Sequence, residues 1–259
     1  MGELLKLLLL FGIGSLAGFT NVMAGGGSAI TLPALIFLGL DGSIANGTNR
    51  FGILIQNFSA ILSFRQEKYS EFKMSLKLAV FALPGAIAGS IIAVNISDQL
   101  FENILGYIMI GVIISMIFRR SNKRKNQNES LDHNSWLIYP AMFGAGLYGG
   151  FIQVGVGFVL MASIYHLMRI SLVRVNMHKV FIIFIYTIPA LLVFILTNNV
   201  NWKLGLVLAA GYASGAWWSA KVSVKKGEGI IRIVLIVIIL IMSLILLDII
   251  KFPDFLSVK

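Results

Sequence analysis

The 259-residue sequence contains no cysteine. That excludes disulfides, thiolate nucleophiles and cysteine-ligated zinc. Histidine is nearly as scarce, with residues 133, 166 and 178 scattered along the chain, so no histidine-based metal site is expected. Charge is thin: 12% of residues are charged, against roughly 25% in soluble domains. The pattern holds no Walker motif, HExxH, GxSxG or paired carboxylates, so nothing points to bond-making chemistry, and neither an enzyme nor a bound cofactor is expected. What fills the chain instead is apolar sequence. Hydrophobic residues make up 58% and the mean hydropathy is +0.88. A soluble enzyme, a disordered protein and a secreted disulfide scaffold are all excluded.

A transmembrane helix needs about 20 apolar residues, so this content suggests roughly seven or eight spans. The class is all-α integral membrane protein, multi-pass, in the cell (plasma) membrane. The net charge of +10 would suggest nucleic acid in a soluble domain. In a membrane protein it orients the chain, so the expected surroundings are lipid and no nucleic acid. The first residues, MGELLKLLLLFGIGSLAG, carry Glu3 and lack a basic leader; they read as a retained helix rather than a signal peptide.

Apolar segments recur five to a half. The first half has them at about 4–23, 28–40, 44–64, 73–96 and 99–118, and the second at about 135–154, 157–168, 172–197, 203–223 and 229–250. The basic stretch 119–134 is the only linker, dividing an N-terminal membrane repeat, 1–118, from a C-terminal one, 135–259. The second segment of each half is short and follows glycines: Gly25, Gly26 and Gly27 in one, Gly155 and Gly157 in the other. Twelve helical residues cover about 18 Å, less than the roughly 30 Å hydrocarbon core. Each half therefore reads as a Gly-broken re-entrant helix pair plus three spanning helices, and bent backbone at that depth requires protein or a wet cavity around it.

The halves also match residue by residue. The run from Gly14 to Val22 lies over Gly146 to Val154, Thr48-Asn49-Arg50 over Met177-His178-Lys179, and Gly85 and Gly89 over Gly211 and Gly215. The turn with Arg65, Lys68, Lys73 and Lys77 is basic, whereas its counterpart from Thr197 to Trp202 has no basic residue. The next turn holds Asp98 and Glu102 in the first half but Lys221, Lys225, Lys226 and Arg232 in the second. Because basic loops stay cytoplasmic, equivalent loops face opposite sides. The halves read as two inverted repeats with a cytoplasmic linker, an architecture that holds substrate near the midplane between discontinuous helices.

The half-helices starting near Ser28 and near Phe158 would present free N–H groups and positive dipole ends, which attract anions. Tight packing through small residues is the competing explanation for Gly25, Gly26 and Gly27, and it is the favoured one for the four-spaced pairs Gly14/Gly18, Gly85/Gly89, Gly146/Gly150 and Gly211/Gly215. Asn21 and Gln153 stand at equivalent positions before the breaks and can donate to an oxyanion, or else bond between helices. Ser28 and Thr31 can add hydroxyls or bond their own backbone. Arg50 and Lys179 either snorkel to the interface or point inward and attract anions; snorkelling is favoured. Thr48, Asn49, Asn176 and His178 flank them as a polar path, with His178 read as an interface residue. All eleven acids, including Asp41, Glu67, Glu71, Glu129, Asp132, Glu228, Asp248 and Asp254, fall at turns or ends. No carboxylate is left mid-span for a proton relay or a cation counter-charge.

The stretches GFTNVMAGGGSAITLP at 18–33, NGTNR at 46–50, ALPGAIAGS at 82–90 and GGFIQVGVGF at 149–158 resemble the TauE/SafE-like sulfite exporter family. The likeness spans essentially the whole chain, although Tyr165 stands where Pro33 would predict proline. It implies transport of sulfite, sulfoacetate or related organosulfonates without ATP, with the substrate at the glycine breaks and their amides. Lacking cysteine, the chain does not look like the thiosulfate carriers that use it. The expectation is a secondary transporter of a small sulfur-containing anion working by alternating access. The alternatives are an anion channel and a membrane scaffold that moves nothing.

Overall fold

The computed structural model describes residues 2–118 and 135–246. The linker 119–134, with Glu129, Asp132 and His133, lies outside the described residues, as do Asp248 and Asp254. Regular structure among the described residues is entirely α-helical: α1 (Glu3–Met23), α2 (Ser28–Phe37), α3 (Gly42–Gln66), α4 (Phe72–Asn95), α5 (Asp98–Phe118), α6 (Ile138–Phe151), α7 (Val156–Met168), α8 (Leu172–Leu196) and α9 (Trp202–Leu246). By length and composition α1, α4 and α8 suffice to cross a membrane, while α2 and α7 are short apolar helices.

Eight helices correspond to predicted segments, and α9 is the exception. Its 45 residues absorb the ninth and tenth segments, so the turn expected at Lys221–Glu228 does not exist and Glu228 stands within a helix. The reason is chemical. No proline interrupts 202–246, and Lys225, Lys226 and Glu228 are good helix formers that outweigh single glycines. At 1.5 Å per residue α9 is about 68 Å long, more than one span needs.

The left-handed backbone positions recur at one fixed spacing. Among the described residues the positive-φ positions are Gly25, Gly39, Lys68, Gly155, Arg169 and Asn198. They form three pairs, and in each the second number exceeds the first by 130 (155 − 25, 169 − 39, 198 − 68). α3 and α8 are both 25 residues long. They end alike, with Tyr69 N–H donating to Phe64 O and Asn199 N–H to Phe194 O, a closure that needs a left-handed residue just past the helix end.

The packing exchanges the halves. α3 and α8 touch at the centre, α4 packs on α6 and α8, and α9 packs on α1 and α3. The fourth helix of each half thus lies against the first and third helices of the other, so the two halves are intertwined rather than side by side. The four-spaced glycines make this contact possible. A Cβ on Gly18 would sit 2.4 Å from Tyr212 O, one on Gly215 1.9 Å from Ser15 O, one on Gly150 2.2 Å from Ala86 O and one on Gly89 2.1 Å from Leu147 O. Small residues let backbones approach where apolar burial alone gives no drive for association.

These contacts fix an expected outcome. Gly215→Ala pushes a methyl into backbone that cannot yield, and the overpacking costs about 1–3 kcal/mol or more. Gly144→Ala, with nothing within 4 Å of the new methyl, is neutral or stabilising by up to about 1 kcal/mol through helix propensity. Thermal unfolding of both variants in detergent checks this: the first melts lower than wild type and the second does not.

Candidate functional site

The two helix breaks meet. Gly25 has φ +97° and Gly155 φ +74°, backbone that costs glycine nothing and other residues strain. They turn the chain so that Gly25 and Gly157 touch: a Cβ on Gly157 would lie 2.3 Å from Gly25 Cα. The space beside these two glycines is therefore filled by the opposite break. A Cβ on Gly26 would meet the Phe158 ring at 3.1 Å, and one on Gly27 would meet Ala17 O at 2.2 Å and Asn21 Cβ at 2.8 Å.

α2 begins at Ser28, as the glycine cluster predicted. Ala29 and Ile30 N–H donate to Gly26 and Gly27 carbonyls, so the N–H groups of Gly26, Gly27 and Ser28 precede the first helical donor and have no intrahelical acceptor. α7 begins at Val156 rather than near Phe158. The Phe158 N–H, expected to be free, donates to Gly155 O at 2.9 Å. The left-handed Gly155 starts the helix early, and because Val156 N–H donates to Gln153 O at 3.4 Å, the open end of α7 is at Gly157.

The two amides are not equivalent. An ungapped overlay pairs Asn21 with Gln153, and the packing glycines keep that spacing: Gly18 meets Tyr212, and Gly150 meets Ala86. From the breaks onward the spacing is 130 (Gly25 and Gly155), so the second copy is two residues shorter within the break. Asn21 accordingly sits in the last turn of α1, whereas Gln153 lies beyond the end of α6. Asn21 Nδ2 donates to Gln56 Oε1 at 3.1 Å. Gln153 is 2% exposed, and neither its Nε2 nor its Oε1 has a hydrogen-bond partner. A buried amide left unpaired costs about 1–3 kcal/mol, so both ends of this side chain are open to a further polar partner.

Arg50 and Lys179 do not snorkel. They are 0% and 1% exposed, and each closes the broken helix of the other half. Arg50, on α3, donates to Gly149 O at 3.1 Å, to Gly150 O and to Phe151 O at 3.2 Å, and its guanidinium lies over the Phe194 ring at 4.7 Å. Lys179, on α8, donates to Asn21 O at 3.1 Å, Val22 O at 2.7 Å and Asn176 Oδ1 at 3.0 Å. The preference for the interface fails because helix C-termini supply both carbonyl acceptors and the negative dipole end, which together offset desolvation of a cation. Asn46 and Asn176 add single bonds of the same kind, Nδ2 to Phe151 O at 3.0 Å and to Met23 O at 3.4 Å.

The remaining polar positions divide. Thr31 Oγ1 donates to Asn49 Oδ1 at 2.8 Å, and Tyr212 OH donates to the same oxygen at 2.9 Å, a buried cluster beside α2. Thr48 instead accepts from Asn201 N–H at 2.9 Å. His178 is buried, not at an open interface, with Nδ1 2.8 Å from Ser75 Oγ and Nε2 3.9 Å from Glu71. Two residues of this region escaped the sequence reading, Tyr212 and Gln56. Gln56 carried a usable signal, one of two adjacent amides (with Asn57) inside the apolar run FGILIQNFSAIL. Tyr212 sat inside a glycine motif that reads as packing.

Comparison with known proteins now adds to the geometry. Residues 10–246 match the family model for the sulfite exporter TauE/SafE. A probable membrane transporter protein of Haemophilus influenzae is 25% identical over 239 residues, covering 92% of each chain. A probable membrane transporter protein of a Sinorhizobium species is 26% identical over 238 residues, covering 90% of this chain and 88% of the other. The probable membrane transporter YfcA of Escherichia coli is 26% identical over 237 residues, covering 91% and 87%. No solved structure matches the chain. With nearly its whole length matched, the chain belongs to the sulfite exporter TauE/SafE family, whose members among these relatives are named as membrane transporters.

Proposed function

We propose that the protein is a secondary transporter of a small sulfur-containing anion, such as sulfite, sulfoacetate or another organosulfonate, in the plasma membrane, working by alternating access between two inverted halves. The observation that carries this is one of charge. Among the described residues the buried cations are Arg50 and Lys179, and no carboxylate is buried with them. At a broken helix a C-terminus, near −0.5 charge, faces an N-terminus near +0.5, and the two would cancel. Each cation covers a C-terminus, so the N-termini of α2 and α7 are left unopposed. The breaks then carry net positive potential in a low-dielectric surrounding, where a guest anion is favoured.

In this reading the anion lies against the N–H groups at Gly26, Gly27 and Ser28, with the Gln153 amide turned to it and Asn21 beside it. Gly25, Gly155 and Gly157 hold the two breaks together, and Phe158 forms an apolar wall over Gly26. Thr31, Asn49 and Tyr212 line the approach along α2. The same contact lets one broken pair tilt against the other around a fixed centre, as alternating access requires.

Labelled sulfite and a labelled organosulfonate supplied to proteoliposomes test the function. Saturable uptake with counterflow supports a carrier, flux that does not saturate indicates a channel, and no flux of either anion indicates a scaffold. Gln153→Ala is expected to weaken apparent substrate affinity about 10–100-fold, the loss of one hydrogen bond to a charged group at roughly 1.5–3 kcal/mol, without lowering the melting temperature. Unchanged transport removes Gln153 from the site.

Arg50→Met strips three carbonyls of their cover and the breaks of one positive charge. It is expected to lower stability by about 1.5–3 kcal/mol or more and to abolish uptake, whereas Arg50→Lys keeps the charge and retains part of both. Denaturant unfolding in detergent beside the uptake assay reads the two effects. The inversion has a separate check that exploits the cysteine-free chain: Ser70→Cys and Asn198→Cys, both in exposed matching turns, should react with a membrane-impermeant thiol reagent from opposite sides. Labelling from one side contradicts the inverted arrangement.

A further inference from the structure

Away from the breaks, a cavity of about 330 Å³ opens where the start of α1, the end of α2 and the start of α9 converge, lined by Glu3, Lys6, Leu7, Leu38, Lys203 and Leu204. Two ammonium groups face one carboxylate there. Glu3 Oε1 accepts from Lys203 Nζ, and both side chains are exposed, at 72% and 64%. Lys6 follows Glu3 by one helical turn and is half-buried along the same wall. The other wall is leucine, and Trp202, 48% exposed, flanks Lys203, the placing of an aromatic at a membrane surface. An exposed ion pair contributes little, roughly 0–1 kcal/mol, so Glu3 is easily displaced from Lys203.

We infer that this mouth is a binding site for a tetrahedral oxyanion, held between Lys6 and Lys203, with Glu3 as the internal competitor that occupies Lys203 when the site is vacant. A sulfonate, sulfite or phosphate brings several acceptor oxygens to two point cations, and the leucine wall suits whatever apolar group trails it. The oxyanion arrives either free in water or as the phosphate of an anionic lipid. Helix α2 runs from this mouth to the central break, from Leu38 just past its last turn to Ser28 at its first, so a free anion caught here stands at the opposite end of α2 from the break and from Thr31.

Two probes separate the sources: inorganic sulfate titrated calorimetrically into the full chain in detergent, and phosphatidylglycerol against phosphatidylcholine retained on the full chain in native mass spectrometry. The double variant Lys6→Gln/Lys203→Gln should bind at least tenfold more weakly to one probe. Loss of sulfate identifies the free anion, and loss of phosphatidylglycerol the lipid. Glu3→Gln releases Lys203 and should strengthen binding of that same probe several-fold, a gain that misfolding cannot imitate. Asn21→Ala leaves this binding unchanged, so a failure of the central site is read separately. Wild-type binding of neither probe, or equal binding by wild type and both mouth variants, overturns the inference.

Discussion

The structure rests on closing two helix ends inside a membrane protein. α1 and α6 stop in the interior, and their last carbonyls have no helical partner. In hydrocarbon each such group costs several kcal/mol unless something donates to it. Arg50 and Lys179 do so, each reaching from the third helix of one half to the broken helix of the other. The cations are stable there because of the carbonyls, and the breaks are stable because of the cations. Neither half completes this by itself, so the exchange of α4 and α9 between halves and the exchange of cations belong to one arrangement.

Close backbone contact is the second requirement. The glycines of α1 and α9, and those of α4 and α6, bring helix axes near enough that a methyl collides with a carbonyl. Such pairs slide or rock as bodies more readily than they deform, since packed surfaces resist continuous distortion. The contact between the breaks themselves is small: Gly25 on Gly157, with the Phe158 ring over Gly26. In the proposed alternating-access reading it is the point about which the two packed units would change angle.

Much of this was legible in the residue order. Glycine clusters marked the breaks, short apolar runs marked α2 and α7, and four-residue glycine spacing marked the packing faces, because each feature is local. The fate of Arg50 and Lys179 was not legible, since their acceptors lie about 100 and 157 residues away in sequence and exist only once the helices stop where they do. The continuity of α9 was missed because charge was read as a turn where helix propensity governed. The pairing of Asn21 with Gln153 failed for a subtler reason. An overlay without gaps cannot see two residues missing from a break, and such a loss changes which side chain ends in the helix and which beyond it.

That two-residue difference has a consequence for how the centre works. Asn21, inside α1, is engaged by Gln56 and belongs to the scaffold as much as to the pocket. Gln153, past the end of α6, is buried with both amide atoms unpaired. On the α2 side the approach is lined by Thr31, Asn49 and Tyr212. At the matching place in the other half, Ala86 stands in the packing position of Tyr212 and His178 is drawn off to Ser75. The two halves therefore match in the spacing of their left-handed backbone positions and differ in polarity. In the proposed transport reading, an anion between them would meet the N–H groups before α2 and a hydroxyl cluster on one side, and on the other the unpaired Gln153 amide. On that proposal the matched backbones would supply two related ways to tilt, and the uneven side chains would favour one orientation of the guest within both.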